Sequence, residues 1–472
     1  MRTVAKPRVP VRRSAGTPRQ RGAAALLLGL FLGVAAIAAL LFQFNAGQLV
    51  AHKTRLVDTA DAVAWSGGVL QARALNFGAH LNRALVAHEV RIAQAVSLQS
   101  WLRLVRSRAV TAQAMPECVD RSGAGLAVGS LLRFGPDYAL MCAALASPGV
   151  APAVEAAVQA QSAALDAALQ AIDLHKVAIQ AAQSAVFAPG LLEAARRDLL
   201  QQVADAQAVG DGPVTVEVGA PAAAGLVGLA DDWAGLVRRY GGADRDRLAA
   251  VVRAAAHADP FVRERRWDSA ALLPAPGCVL GFTGARDAVR RRGGTDLHGL
   301  DGWRAEDSES LWAHRSTRGF LGLGGGCRAH EVQPVGGGAA GGPPDPADPP
   351  SGDGRTFATA RENAIAWRVH AATAASTGLS GLPAFHDLSP AALQQAAGDP
   401  VVDLSVRLVR HRRDFRTTDA RSDIPAAGRL GGYASDTAGD VMAAVSTARI
   451  YFARPPAHSV NRWRDGEPGA GY

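Results

Sequence analysis

The sequence predicts an α+β chain: a single N-terminal transmembrane helix continues into a long helical stalk and hairpin, followed by a mixed α/β extracytoplasmic region. Three observations predict it. Ala23 to Phe44 is apolar throughout except for Gln43. Two later stretches repeat small or apolar residues at steps of three and four. Beyond residue 210, short segments alternate with a period of two, as half-buried strands do.

The expected segments are a basic cytoplasmic tail (1–22), a transmembrane helix (23–44), a helical stalk and hairpin (45–210) and a mixed α/β region (211–328). A Gly/Pro-rich loop (329–355) and a C-terminal region with antiparallel strands (356–472) complete the chain. Of the net charge of +8, seven positive charges come from Arg2, Lys6, Arg8, Arg12, Arg13, Arg19 and Arg21, all before residue 23. The rest of the chain is nearly neutral and lacks the basic surplus that displaces counterions from a duplex, which argues against nucleic acid as a partner.

The apolar run spans roughly 33 Å as a helix, about the thickness of a bilayer's hydrocarbon core. Basic residues crowd its N-terminal flank, whereas Lys53 and Arg55 on the other side are balanced by Asp58 and Asp61. The positive-inside rule then places the N-terminus in the cytoplasm and the body across the bacterial inner membrane, as a single-pass protein. A cleaved signal peptide is the rival reading. The apolar run exceeds the usual signal length, and Phe44-Asn45-Ala46 puts a bulky residue where cleavage needs a small one, so a retained anchor is expected.

Cys118, Cys142, Cys278 and Cys327 are the chain's four cysteines. Their spacing matches no metal or redox motif, and an exported body permits disulfides. Sequential pairing, Cys118 with Cys142 and Cys278 with Cys327, is the simplest of three connectivities. Four buried free thiols are the alternative.

The stalk begins without a proline from Gln48 to Arg106. Leu56, Ala60, Val63, Gly67, Leu70, Ala74, Phe77, Leu81, Ala84 and His88 form one row of an amphipathic helix, with a break near Gly67-Gly68 as an option. Asp61, Leu70, Phe77 and Leu81 are its expected packing residues. A second row runs Val154, Val158, Gln161, Leu165, Ala168, Ile172, His175, Ile179, Ala182 and Val186, a heptad seam expected to pack antiparallel on the first through Leu165, Ile172 and Ile179. Leu191 to Ala208 adds another helix.

Farther on, Pro213 to Val218 and Cys278 to Thr283 read as strands, and Trp233 to Tyr240 and Asp244 to His257 as helices. Ser389-Pro390 starts a short helix with an N-cap. Val401 to Arg410 and Ala444 to Phe452 read as two strands of one antiparallel sheet.

Catalytic signatures fail one by one. No Gly-Lys pair exists for a P-loop, Gly322 to Cys327 misses the dinucleotide fingerprint, and His88-Glu89 is followed by no second histidine. Gly378-Leu379-Ser380-Gly381 lacks the closing glycine of a nucleophile elbow. Asp296, His298, Asp301, Glu306, Asp307, Glu309 and His314 form the densest polar stretch, between Arg286 and Arg318. Interleaved arginines make it read as a salt-bridged, solvated surface with loops.

Gln20-x-Gly22 before an apolar helix, then Asp61-Ala62-Val63-Ala64 one helix length later, resembles the TadE/TadG-like family of Tad (tight adherence, Flp) pilus-assembly proteins. Ala74-Leu75-Asn76-Phe77, Asn82 to Val90, Gln94 to Leu98, Arg291 to Leu297 and Tyr451 to Pro455 are similar to large membrane proteins with a Tad domain. Leu27 stands where a processed prepilin carries glutamate. Asp307-Ser308-Glu309-Ser310 departs from the DxSxS metal site of some TadG-like proteins, so no metal or cofactor is carried over.

The resemblance implies a non-catalytic structural or assembly component of a Tad-type pilus or related envelope apparatus. Its partners would be the lipid bilayer and other pilus-assembly proteins, with a homo-oligomer left open. The competing reading is a membrane-tethered periplasmic hydrolase with its site in residues 278–318.

Overall fold

A computed structural model describes residues 19–115, 118, 128–188, 190–209, 212–219, 228–269, 271–276, 278, 284–300, 302–316, 326–342, 356–371, 381–395, 401–411, 414 and 441–451. Its helices are α1 (Arg19–Ala114), α2 (Val128–Phe134), α3 (Pro136–Leu145), α4 (Val150–Val186), α5 (Leu191–Gln207), α6 (Asp246–Ala256), α7 (Pro260–Arg263), α8 (Ala364–Ala366) and α9 (Pro390–Gln395). The strands are β1 (Thr215–Val218), β2 (Val237–Tyr240), β3 (Glu264–Asp268), β4 (Ala288–His298), β5 (Gly302–Ser316), β6 (Cys327–Gly341), β7 (Phe385–Leu388), β8 (Val401–His411) and β9 (Val441–Tyr451).

Among the described residues one unbent helix, near the N-terminus, is long and apolar enough to cross a membrane, and its most apolar window is wholly exposed. Leu26 is 73% and Phe31 69% accessible. A soluble core helix would bury such residues.

The chain divides into two compact units, and α1 contributes to both. The first unit takes the chain to Ala72, then Glu193–Ala234 and residues from Gln395 onward. Its sheet has the order β1-β8-β9, antiparallel throughout. The even-numbered side chains of β8, Val402 to Leu408, are buried, as alternation predicts. Leu404, Val406 and Leu408 pack with Leu56, Ala60, Val63 and Ala64 of α1, and with Leu200 and Ala204 of α5.

Gly67 and Gly68 do not break α1. A Cβ at Gly67 would lie 2.5 Å from Leu404 Cδ2 and 2.9 Å from Leu200 Cδ2, and one at Gly68 3.1 Å from Ala448 Cβ. The glycines let the sheet and α5 approach the helix backbone. That packing outweighs a helix-propensity cost of about 1 kcal/mol per glycine.

The second unit comprises Arg73–Leu192 and Gly235–Gln394. Within it α1 and α4 run antiparallel. Asn82 accepts from Gln183 (2.7 Å), Lys176 meets Glu89 (2.7 Å), Gln99 donates to Asp166 (2.6 Å) and Arg106 donates to Glu155. A four-stranded antiparallel sheet, β3-β4-β5-β6, forms the centre of this unit, and β2 pairs with β7. The main core joins Leu85, Ile92 and Val96 of α1 to Leu248 and Val252 of α6, Trp303 of β5 and Phe385 of β7.

Three expectations are corrected here. Trp233 to Tyr240 is not helical: Val237–Tyr240 is a strand. Tyr240 stacks on Phe385 across the pair (5.2 Å) and donates its hydroxyl to the Leu388 carbonyl (2.6 Å). The loop expected over 329–355 is β6 up to Gly341, and residues 343–355 lie outside the described ones. The polar stretch from Arg286 is no solvated surface, since β4 and β5 bury most of it. Of the strand expected from Cys278 to Thr283, residues 279–283 lie outside the described residues.

Candidate functional site

The candidate site is the buried charged layer of β4 and β5, in the second unit. β4 turns into β5 at Gly299, whose φ of +59° suits glycine, and the strands pair from His298↔Gly302 to Ala288↔Trp312. Both faces of the sheet are covered, so Trp303 through Leu311 is buried without a gap. Odd-numbered side chains of β5 meet α1. Even-numbered ones meet the 3-10 turn Thr356–Glu362 and the residues after it.

Arg265, Gly293, Asp307 and Gly338 lie side by side across β3, β4, β5 and β6. Arg265 reaches over the glycine to Asp307 and forms a fork, Nε to Oδ1 at 2.8 Å and Nη2 to Oδ2 at 2.8 Å. Its remaining N–H groups go to the carbonyls of Phe261 (2.7 Å) and Gly294 (3.0 Å) and to Thr295 Oγ1 (3.1 Å). All five guanidinium donors are thus used. Ser100 of α1 adds a hydrogen bond to Asp307 Oδ2 (2.7 Å). A Cβ at Gly293 would sit 2.2 Å from Asp307 Oδ1, so only glycine leaves this path open.

The glycines of β6 serve the opposite contact. A Cβ at Gly338 would lie 2.4 Å from the Ser100 carbonyl oxygen, and one at Gly336 2.6 Å from Arg108 Cγ. Their absence lets α1 rest on the strand backbone. Ser107 donates to the Gly337 carbonyl (2.8 Å) and accepts from its amide (2.7 Å), and Arg103 donates to the Ala339 carbonyl. The Gly/Ala run that reads as a linker is therefore a bare strand shaped for a helix.

On the other face Glu306 accepts from Arg304 Nε (2.6 Å), Arg361 Nε (3.2 Å) and Trp367 Nε1 (2.8 Å). Asp296 accepts from Arg253 Nε (2.8 Å) and the Thr356 amide (3.3 Å). Glu309 is different. It is fully buried, with Arg108 Nη2 at 3.2 Å, yet neither carboxylate oxygen finds a hydrogen bond among the described residues. Burial pushes its pKa up, against the pull of Arg108 and Arg291. Burial also lowers the pKa of Arg291.

A second polar cluster joins α1 to α4. Glu89 takes Lys176 on Oε1 (2.7 Å) and the Trp303 indole N–H on Oε2 (3.0 Å), and Lys176 also meets Asp173 (3.1 Å). Burial raises the Glu89 pKa, opposed chiefly by Lys176. His88 and His175 face each other at 5.7 Å between ring centroids. Desolvation, then His175, then Lys176 hold His88 below its usual value.

The expected helix-packing residues are partly displaced. Leu165, Ile172 and Ile179 are half-buried, and Ile172 and Ile179 pack on the main core. Leu70 and Leu81 are half-buried, but Asp61 is exposed and Phe77 is 43% accessible. Leu56, Ala60, Val63, Gly67 and Ala74 of the first row and Val158 of the second are buried as expected, but farther along every second position is moved by one residue: on α1 the buried positions become Gln71, Gly78 and Leu85, and on α4 Leu169, Lys176 and Gln183. Polar and glycine residues carry much of this seam, so a search for apolar periodicity passes over it. Phe187 closes the space above Gly78, where a Cβ would lie 2.7 Å from its ring.

Cys118 bonds to Cys142 (Cα–Cα 4.8 Å) and Cys278 to Cys327 (6.0 Å), the sequential pairing. His314 sits beside Asp287, which accepts from the His314 amide (2.8 Å) and Arg133 (2.7 Å). Asp301 lies outside the described residues. Among the described residues no group of three or more His, Cys, Asp or Glu is placed to hold a metal. Chemically, the layer's carboxylates, apart from Glu309, are held by fixed donors, an arrangement that locks strands together. No protein-family model, no curated protein and no solved structure matches the chain.

Proposed function

We propose that the chain is an inner-membrane-anchored, non-catalytic structural component of a Tad-type pilus or a related envelope apparatus. Its N-terminus lies in the cytoplasm and its body outside. The pilus assignment rests on the resemblance over the first hundred or so residues. The anchoring rests on one observation, the wholly exposed apolar start of α1. The two disulfides suit an oxidising compartment.

A structural role is further supported by the state of the acids in residues 278–318. Asp307 and Glu306 are wholly buried, Asp307 under Arg265 and Glu306 under Arg361 and the Trp367 indole. A general acid or base must reach a substrate proton.

Pull-down of the tagged full-length protein from crosslinked membranes tests the reading. Co-purification of pilus-assembly proteins, with loss of surface pili on deletion, is the expected result. Normal piliation in the deletion strain, together with hydrolysis of an envelope substrate by the purified protein, would favour the tethered hydrolase.

A further inference from the structure

Polar pairs fix the register of two packed helices, and side chains next to such a pair are held in place with it. α1 and α4 are bridged by Asn82 with Gln183, Glu89 with Lys176, Gln99 with Asp166 and Arg106 with Glu155. His88 and His175 immediately precede Glu89 and Lys176, the buried ion pair of this ladder. The same register sets the two imidazoles opposite each other, 5.7 Å between ring centroids.

Both rings are otherwise unused. Among the described residues neither has a hydrogen-bond partner. His88 is half-buried and His175 exposed, so solvent reaches the pair. Their spacing is that of two ligands on one metal. A zinc ion binds an imidazole nitrogen at about 2.0–2.1 Å, which puts it roughly 3.2 Å from each ring centre. Two such arms meeting at about 105–135° set the ring centres roughly 5–6 Å apart. The observed 5.7 Å falls inside that range.

The local charge permits a cation. Lys176, the ammonium that acts on His88, is met by both Glu89 (2.7 Å) and Asp173 (3.1 Å), two carboxylates against one positive charge. Desolvation, then His175, then Lys176 hold the His88 pKa down, which favours the neutral ring that a metal requires.

We propose that His88 and His175 form a solvent-facing site for one divalent transition-metal ion of the zinc type, which clamps α1 to α4. Water fills the remaining positions, since no third His, Cys, Asp or Glu among the described residues is placed to join them. Two imidazoles suit zinc, copper(II) or nickel, whereas magnesium and calcium prefer oxygen ligands. The site is separate from the charged layer of β4 and β5, and it does not depend on which apparatus the protein serves.

Copper(II), added at one equivalent to the metal-stripped full-length protein in detergent, tests the site by pulsed electron paramagnetic resonance. The protein is purified on a histidine-free tag. The modulation pattern of two equatorial imidazoles is expected. His88→Ala and His175→Ala should each reduce it to the pattern of one imidazole or abolish it, and His80→Ala, at an exposed position of the same helix, should leave it unchanged.

Zinc supplies the second readout. At about ten times its half-effect concentration it should raise the melting temperature by about 2–4 °C, as an ion bound only by the folded helix pair must. Loss of an outer-shell partner already weakens metal sites about 10–100-fold, so either alanine variant should raise the half-effect concentration at least about tenfold. Melting in chelator checks that the variants fold, and His88→Gln and His175→Gln replace any that do not. The proposal is overturned if copper on the parent shows one imidazole or none, or if zinc stabilises the His88 and His175 variants at the same concentration as the parent.

Discussion

Arg265 and Asp307 meet as a buried fork, with both pairs of atoms at 2.8 Å, on strands separated by β4. Gly293 lies between them, and its missing side chain makes the contact possible. Three strands are thereby tied by one ion pair, and Ser100 extends the tie to α1.

Removing one partner should be far worse than removing both. Asp307→Asn leaves the guanidinium charge buried and is expected to cost about 3–5 kcal/mol, whereas Asp307→Leu with Arg265→Met should cost clearly less than that single change. Chemical denaturation of the detergent-solubilised protein measures both. Equal losses would mean that the fork is not desolvated as described.

The glycines of the layer are predicted to be irreplaceable for steric reasons. Gly293→Ala and Gly338→Ala each place a methyl group within 2.4 Å of an oxygen and should cost about 1–3 kcal/mol or more. Gly284→Ala meets nothing within 4 Å and should stay within about 0.5 kcal/mol of the parent. Similar melting temperatures for all three variants would contradict the close approach of α1 and β6.

Glu309 sets a pH dependence. Its folded pKa is raised, so the protonated form is preferred in the folded chain, and its stabilising effect is complete only below the unfolded carboxylate pKa. It is lost as pH rises from there through the folded pKa. Glu309→Gln should flatten the fall in melting temperature across that window. An unchanged slope would place the dependence elsewhere, with Glu89 next in line because its pKa is also raised.

The displaced seam predicts an asymmetry. Phe77→Asp should change stability by less than about 1 kcal/mol, since the ring is 43% accessible. Leu169→Asp places a charge at a site 1% accessible and should cost more than about 3 kcal/mol. Tryptic resistance of the α1–α4 pair distinguishes them. The reverse order would restore the apolar row read from sequence alone.

The legible parts of the fold are those carried by regular patterns. The apolar run, the two long helices, the antiparallel β8–β9 pair and α9, capped by Ser389 ahead of Pro390, all follow from periodicity and end signals. The charged layer was hidden because its signals point the wrong way. Acids and arginines alternating along β4 and β5 look like surface until their partners, Arg265 from another strand and Ser100 from α1, are known. Gly336 to Ala340 looks like a linker for the same reason: what fills its space is a helix more than 200 residues earlier. At the α1–α4 seam, Lys176 and Gln183 are buried by partners that no local window contains.

The proposal that the start of α1 lies in lipid with the body beyond it is tested most directly by proteolysis of intact spheroplasts expressing a C-terminally tagged full-length chain, followed by carbonate extraction. The account predicts that external protease removes the tag and that the surviving N-terminal fragment stays with the membrane pellet. A protected tag, or a full-length product released into the carbonate supernatant, would contradict it.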